Sequence, residues 1–118
     1  MVIADIATFI STELELVLGE DIWLHNIPSG EKEGIAVKMI RRMADFGQFK
    51  VTRVAVYVLY RHWSVQDSTF NSIHDLMDNK RGAVNVDWSV SDEIQTNNYG
   101  IDEHSRFVTS VAFNVQHT

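Results

Sequence analysis

The stretch FKVTRVAVYVLYR, residues 49–61, decides the fold because it is the longest β-strand that the sequence predicts. Apolar side chains occupy both its even and its odd positions, and in a strand these two sets point to opposite faces. Val54 and Val56 lie on one face, and Ala55 and Tyr57 lie on the other. Because both faces are apolar, this pattern predicts a central strand that is covered on both sides.

Helices and shorter strands are predicted before and after this central strand in the sequence. Apolar residues at three- and four-residue steps predict one amphipathic helix over 2–18 and another over 64–81, each followed by a glycine. Ser64 and Asp67 form an acidic variant of a capping box at the start of the second helix. The remaining predicted strands cover residues 22–25, 35–40, 83–90 and 105–115, with a polar loop over 91–104.

The resulting order is α-β-β-β-α-β-β, which predicts an α+β fold in a single domain over residues 1–118. Runs of adjacent strands favour a mostly antiparallel, mixed sheet of about five strands with two helices on one face. Two helices on one face leave the other face of the central strand uncovered. Either loops of the same chain or another subunit covers it, and a second subunit is the favoured explanation.

The first predicted helix carries a second apolar stripe. Val2, Phe9 and Leu16 lie about 120° round the helix from its main apolar face, at about 100° per residue. Two apolar faces on one helix imply two surfaces to pack against. We therefore expect Val2, Phe9 and Leu16 to form part of a subunit interface.

Composition limits the function further. The 118 residues carry a formal net charge of −6, include 45% apolar types and contain no cysteine. The absence of cysteine excludes disulfides, thiolate metal sites and a cysteine nucleophile. The acidic balance argues against binding of a nucleic-acid backbone, and no apolar run approaches the roughly 20 residues of a membrane span.

The sequence offers no pattern typical of catalysis or of cofactor binding. The five histidines form no zinc-binding spacing, and neither a phosphate-binding glycine loop nor a nucleophile elbow occurs. We expect no catalytic residue, no metal and no cofactor. The basic cluster around the second and third strands is interpreted as a mixed-charge hairpin surface; the alternatives are contact with a polyanion or with an acidic neighbouring subunit. It comprises Lys38, Arg41, Arg42, Lys50 and Arg53.

The order of segments is similar to that of a known protein family. An amphipathic helix precedes IWL (22–24) and a proline-bearing loop; then come VTRVAVYVLY (51–60), STFNSIHDLMDNKRG (68–82) and the closing SRFVTSVAFNVQHT (105–118). In this layout nearly the whole chain resembles the tail-terminator, or tail-completion, proteins of long-tailed bacteriophages, often catalogued as minor capsid or neck proteins. The likeness lies in element order and length, and no signature motif supports it.

The resemblance implies a structural virion protein with no catalytic residues. Family members form a ring, typically a hexamer, that caps the tail tube, ends its polymerisation and joins the tail to the head-side connector. The implied partners are copies of the chain, the tail tube protein and the connector protein, with no membrane. DNA passes through the lumen without specific binding, and an acidic lining would repel it. The implied location is the tail or neck of the virion, after assembly in the host cytoplasm.

Five residues in loops are expected to face the tube or the connector, because loops with aromatic, apolar or proline residues are where partners usually dock. They are Ile27, Pro28, Phe46, Tyr99 and Ile101.

Other functions stay open at the level of the sequence. A head–tail connector subunit or a tail-tube subunit would share the same setting. From a different class, a small ferredoxin-like ligand-binding domain or enzyme would draw on His25, His62 and the Asp102–Glu103 pair. A regulatory interaction domain is a further alternative.

Overall fold

A computed structural model describes residues 2–83, 86–91 and 93–118 of the chain. It contains two helices and six strands, so the α+β class is confirmed. In chain order the elements are α1 (Val2–Glu13), β1 (Ile22–Leu24), β2 (Gly34–Asp45), β3 (Lys50–Tyr60), α2 (Trp63–Asn79), β4 (Trp88–Val90), β5 (Gln95–Ile101) and β6 (Phe107–His117).

The six strands form one mixed sheet with the order β1-β2-β3-β6-β4, in which β5 also pairs with β6. β1 is parallel to β2, and every other pair is antiparallel. Because β3 pairs with the full length of β6, β4 and β5 follow one another along the opposite edge of β6. The strand predicted to be central, β3, therefore lies in the middle of the sheet.

The core lies between the helices and one face of this sheet. Val54, Val56 and Val58 of β3 are fully buried there, together with Phe113 of β6. Apolar residues of both helices pack on the same face, so the prediction of two helices on one face is confirmed. The buried helix residues are Ile3, Ile6, Ala7 and Ile10 of α1 and Ile73 and Met77 of α2.

The structure has one strand, β5, that the sequence does not predict, and it extends another, β2. β5 occupies part of the predicted polar loop 91–104; this edge strand is largely exposed on both faces, so its sequence QTNNYGI lacks apolar alternation. β2 continues to Asp45 instead of ending at residue 40. Shifts in its register at 39–41 and 42–44 interrupt the alternation of side chains, which hides the strand from pattern analysis.

Element ends also differ from the predictions. α1 ends at Glu13 rather than at residue 18, and Glu15 has a left-handed φ of 55°, which a helix cannot continue through. The predicted capping box is wrong: the N-cap of α2 is His62, without a side-chain cap, and Ser64 lies inside the helix. Of the strand predicted over 83–90, only Trp88–Val90 is strand, and residues 84 and 85 lie outside the described residues.

Candidate functional site

The face of the sheet that points away from the helices has no helix packed on it. Residues opposite one another on neighbouring strands share a face, so the register identifies the side chains of this open sheet face. Its cross-strand rows are Ala36–Tyr57–Ser110, Lys38–Ala55–Ala112 and Arg41–Arg53–Asn114.

Long side chains lie over small ones on the open sheet face. The rings of Tyr57 and Tyr99 are stacked with centroids 6.0 Å apart, and Lys38 Nζ lies 5.3 Å from the Tyr57 centroid. Arg53 donates hydrogen bonds to Asn114 Oδ1 (3.1 Å) and to Gln95 Oε1 (2.7 Å), which holds its guanidinium along the sheet. Burial raises the pKa of Tyr57, and the charge of Tyr99 raises it further. The result is a flat aromatic and cationic surface.

Charge is segregated between the sheet and the helices. Within the strands the only carboxylate is Asp45, next to the β2–β3 turn, whereas the Lys and Arg residues are Lys38, Arg41, Arg42, Lys50 and Arg53. Within the helices there is no Lys or Arg, and the carboxylates are Asp5, Glu13, Asp67, Asp75 and Asp78. The open sheet face therefore carries Lys38, Arg41 and Arg53, whereas Arg42 and Lys50 lie near Asp5 on the other side of the sheet.

The β2–β3 hairpin forms an arm with exposed apolar side chains, defined here as residues 39–54. Phe46 at its turn is 61% exposed, and its ring packs against Phe49 with centroids 4.8 Å apart. Met39, Ile40 and Met43 are also exposed. Since isolated apolar residues on a surface need no explanation but a cluster does, this hairpin arm is a candidate contact with another protein.

The opposite end of the sheet holds the loop of residues 25–33 in place. Arg61 donates to the carbonyl oxygens of Gly30 and Glu31, each at 3.0 Å, and Arg106 Nη1 donates to the carbonyl of Lys32 at 3.0 Å. We call residues 25–33, together with Arg61 and Arg106 that hold them, the loop end. A mobile loop would be a poor contact surface, whereas these backbone hydrogen bonds fix its conformation.

Arg106 is itself held by Asp102. Arg106 Nη2 lies 2.8 Å from Asp102 Oδ2, and its Nε donates to the same oxygen at 2.8 Å. Burial alone would raise the pKa of Asp102, but hydrogen bonds from the backbone and side chain of Arg106 lower it below its usual value. This pair is therefore an ion pair of the folded state rather than a general acid or base.

The apolar stripe of α1 finds partners within the chain. Val2 is 8% exposed and belongs to the core, and Leu16 packs against the core from beyond the helix end. The Phe9 ring meets Trp88 edge-on, with centroids 5.5 Å apart. The core and β4 cover Val2 and part of Phe9 and Leu16, so these side chains also have partners within the chain. A role for them at a subunit interface stays a prediction.

The five predicted contact residues are distributed over the molecule. Phe46 lies at the tip of the hairpin arm, and Ile27 and Pro28 lie in the loop end. Tyr99 and Ile101 are not in a loop as predicted: both lie on β5, and Tyr99 sits where the β5–β6 register shifts. Tyr99 therefore belongs to the open sheet face, and Ile101, 62% exposed and opposite Phe107, lies near the loop end.

A cleft between α2 and β5 escaped the sequence analysis, because β5 was read as a loop. It has a volume of about 280 Å³ and is lined by Trp63, Phe70, Asp67, Thr96 and Asn98 among others. At its floor, Gln66 is fully buried; its Nε2 donates to Val58 O and Thr109 Oγ1, both at 2.8 Å. The sequence did contain one indication of this cleft. Trp63, Asp67 and Phe70 are spaced by four and three residues, which places them on one side of a helix.

The remaining titratable residues do not form a second site. His25 and His62 are both exposed, the first after β1 and the second at the N-cap of α2, and neither lines the α2–β5 cleft. In the described part of the chain, no group of three or more His, Asp or Glu residues is placed to hold a metal ion. Across residues 2–83, 86–91 and 93–118, no helix is long and apolar enough to cross a membrane.

No protein-family model matches the chain, and no curated protein matches it at a significant level.

Proposed function

We propose that this chain is a structural virion protein that assembles into a ring, hexameric as the resemblance implies. The ring caps the phage tail tube, ends its polymerisation and joins the tail to the head-side connector. The observation that carries the proposal is the open sheet face: a surface of ordered, stacked side chains on which no helix of the chain packs. Such a surface suits a neighbouring subunit of a ring.

The shape of the molecule supports two further contacts, one at each end. The chain measures 43 × 24 × 22 Å, and the 11 residues of β3, from Lys50 at the hairpin turn to Tyr60 at the loop end, span about 33 Å. Phe46 marks one end, and Pro28 and Ile101 mark the other. A terminator needs two opposed surfaces, one for the tube and one for the connector, and these two ends supply them.

The net charge of −6 fits a channel through which DNA slides. Carboxylates that line a lumen repel the phosphate backbone and prevent sticking. Duplex DNA should therefore show no measurable binding to the purified protein at physiological salt. A ring whose lumen is lined mainly by Lys and Arg would contradict this part of the proposal.

Electron microscopy and mass photometry of the purified protein test the ring directly. We expect closed rings at micromolar concentration, and Phe46→Ala and Tyr99→Ala should leave the chain folded but weaken assembly with its partners or with itself. Val17→Ala, which truncates a side chain that is 51% exposed elsewhere, is the matched control. A chain that stays monomeric at every concentration would overturn the proposal.

A connector subunit or a tail-tube subunit is the alternative within the same setting. The hairpin arm favours the tube alternative, because a long hairpin suits stacking of one ring on the next. Counting copies in intact particles decides: a terminator contributes one ring per particle, and a tube protein contributes many.

The α2–β5 cleft favours a second class, a small ligand-binding domain. Trp63 and Phe70 provide apolar walls, and Thr96 and Asn98 provide hydrogen-bonding groups, as in small-molecule sites. A thermal-shift panel of metabolites and metals tests this alternative. Its volume of about 280 Å³ falls below the range of about 300–1,000 Å³ of drug-sized sites, so we rank it second.

A further inference from the structure

The cations of the open sheet face and the exposed carboxylates of α2 lie on opposite sides of the sheet. Lys38, Arg41 and Arg53 belong to the open sheet face, whose strands hold no carboxylate except Asp45 at the hairpin turn. On α2, Asp67 and Asp75 are exposed, and neither forms a salt bridge with Lys or Arg in the described residues. Each side therefore presents charge that the chain itself does not neutralise.

We infer that the open sheet face of one copy packs on the exposed side of α2 of the next copy. This inference rests on the proposed ring and names the contact that builds it. The two surfaces differ, so the contact is heterologous, and repetition of a heterologous contact closes a ring when the rotation allows it.

A second copy of this chain fits the open sheet face better than other occupants. A nucleic acid would meet a protein of net charge −6, which repels a polyanion at long range. Two open sheet faces packed on each other would bring Lys38 and Arg41 against like charges. The exposed side of α2 instead supplies the carboxylates of Asp67 and Asp75.

The area of the open sheet face is close to that of one side of a stable interface. Its long strands run 11 or 12 residues, and neighbouring strands lie about 4.8 Å apart, which gives a face of about 20 by 35 Å, or roughly 700 Å². Stable interfaces bury about 800 Å² per partner. Tyr57 and Tyr99 lie near the middle of this face, where aromatic residues contribute most to binding.

Charge reversal on each surface tests the contact. The face variant is Lys38→Glu with Arg41→Glu, and the helix variant is Asp67→Lys with Asp75→Lys. Each alone should weaken assembly at least about tenfold, because it places like charges opposite each other. Glu13→Lys with Glu20→Lys, a double charge reversal at exposed residues outside both surfaces, is the matched control and should leave assembly unchanged. Circular dichroism and thermal unfolding confirm that each variant is folded.

Mixing the two variants gives the most specific result. The helix variant keeps an intact open sheet face, and the face variant keeps an intact α2. The unchanged face of the helix variant can bind the unchanged α2 of the face variant, and the two reversed surfaces are complementary to each other. Mass photometry of the mixture should therefore show mixed assemblies that neither variant forms alone. A chain that carries all four substitutions should recover part of the assembly, because the charges are complementary again.

The outcomes separate this contact from the proposed function. A wild-type chain that is monomeric at all concentrations overturns both. Wild-type rings that persist in both variants overturn the contact and leave the ring intact. Variants that fail to assemble alone and also fail to assemble when mixed overturn the head-to-tail contact. The inference holds when the wild type forms rings, each variant alone does not, and the mixture assembles.

Discussion

Both faces of the sheet contain side chains with almost no exposure, but these side chains are covered by different means. On the face under the helices, Val54 is 0% exposed because residues of α1 and α2 cover that face. On the open sheet face, Ala55 is 2% exposed although no helix covers it, because it is small and lies among longer side chains of the same sheet. Burial alone therefore does not distinguish a core from a contact surface. The distinction lies in what covers each residue, and it predicts unequal effects of substitution.

The largest effect is expected on the helix-covered face. Phe113→Ala removes a fully buried ring from the core and should reduce the free energy of unfolding by about 3–5 kcal/mol. Tyr57→Ala, the matched truncation on the open sheet face, loses stacking with Tyr99, worth about 0.5–1.5 kcal/mol, and the burial of a partly exposed ring, so it should cost less than Phe113→Ala. Urea denaturation of both variants measures the difference. Equal losses would contradict the contrast between the two faces.

A smaller effect is expected where α2 is fastened to the sheet. Gln66 is fully buried, donates to Val58 O and Thr109 Oγ1, and accepts from the Tyr60 N–H at 2.9 Å. Gln66→Leu keeps the volume but leaves these groups without partners, which should cost about 2–3 kcal/mol.

The control for this prediction is the next residue along the helix. Asp67 is exposed, so Asp67→Asn should change the free energy of unfolding by less than about 0.5 kcal/mol. If Gln66→Leu were neutral, its hydrogen bonds would not contribute to the attachment of α2.

Sequence patterns predict the helix-covered face better than the open one. The alternation of β3 identifies Val54 and Val56, because aliphatic burial under a helix leaves a regular pattern. The exposed edge strand β5 has no such pattern, since hydrogen bonds to β6 define it and its side chains are free to be polar. Tyr99 was consequently predicted in a loop, and its stacking on Tyr57 depends on a pairing between distant segments.

The sequence also does not show which charged residues lie on the same face of the sheet. The basic residues of the second and third strands are visible as a cluster in the sequence, but periodicity does not show which of them share a face. Register shifts in β2 place Arg41 opposite Arg53 and Arg42 opposite Thr52, on different faces. Only the three-dimensional register shows that Lys38, Arg41 and Arg53 lie on the open sheet face, away from the carboxylates of the helices.

The loop end should lose stability in acid. The pKa of Asp102 is lowered from its ordinary value of 3.8 despite its partial burial, because Arg106 and His104 donate hydrogen bonds to it. Its stabilising contribution is therefore present above the unfolded-state pKa and is lost as the pH falls through the lower folded-state pKa. Asp102→Asn should cost about 1–2 kcal/mol at neutral pH.

Urea denaturation of the wild type and of Asp102→Asn measures this contribution, once at neutral pH and once at a pH below the folded-state pKa of Asp102. The difference between the wild type and Asp102→Asn should shrink in acid, since the wild-type side chain is then neutral too. Glu103→Gln, next to it and exposed, is the control and should change the free energy of unfolding at neutral pH by less than about 0.5 kcal/mol. A difference that is constant with pH would exclude the ion pair as its cause.

The smallest effect concerns the tyrosines of the open sheet face. Burial raises the pKa of Tyr57 above 10.0, and the charge and hydrogen bonding of Tyr99 raise it further. Tyr99→Phe keeps the ring but removes its hydroxyl group, so the pKa of Tyr57 should fall. The ultraviolet absorbance of tyrosinate measures this pKa. The pKa of Tyr60 is raised by burial and by the charges of Asp21 and Glu33, so its titration should not move and serves as an internal reference.

The same titration sharpens the comparison of the two faces in the assembled protein. A neighbouring α2 on the open sheet face would exclude water from Tyr57 and bring carboxylates near it, and both changes raise its pKa. Tyr57 should therefore ionise at a higher pH in wild-type rings than in the helix variant, which keeps an intact open sheet face but does not assemble. A higher pKa in the ring means that the ring binds the Tyr57 proton more tightly than the unassembled chain does. Rings should therefore lose stability as the pH rises through the pKa that Tyr57 has in the ring. Identical titrations in the two samples would mean that water still reaches this face in the ring, and that the neighbour binds elsewhere.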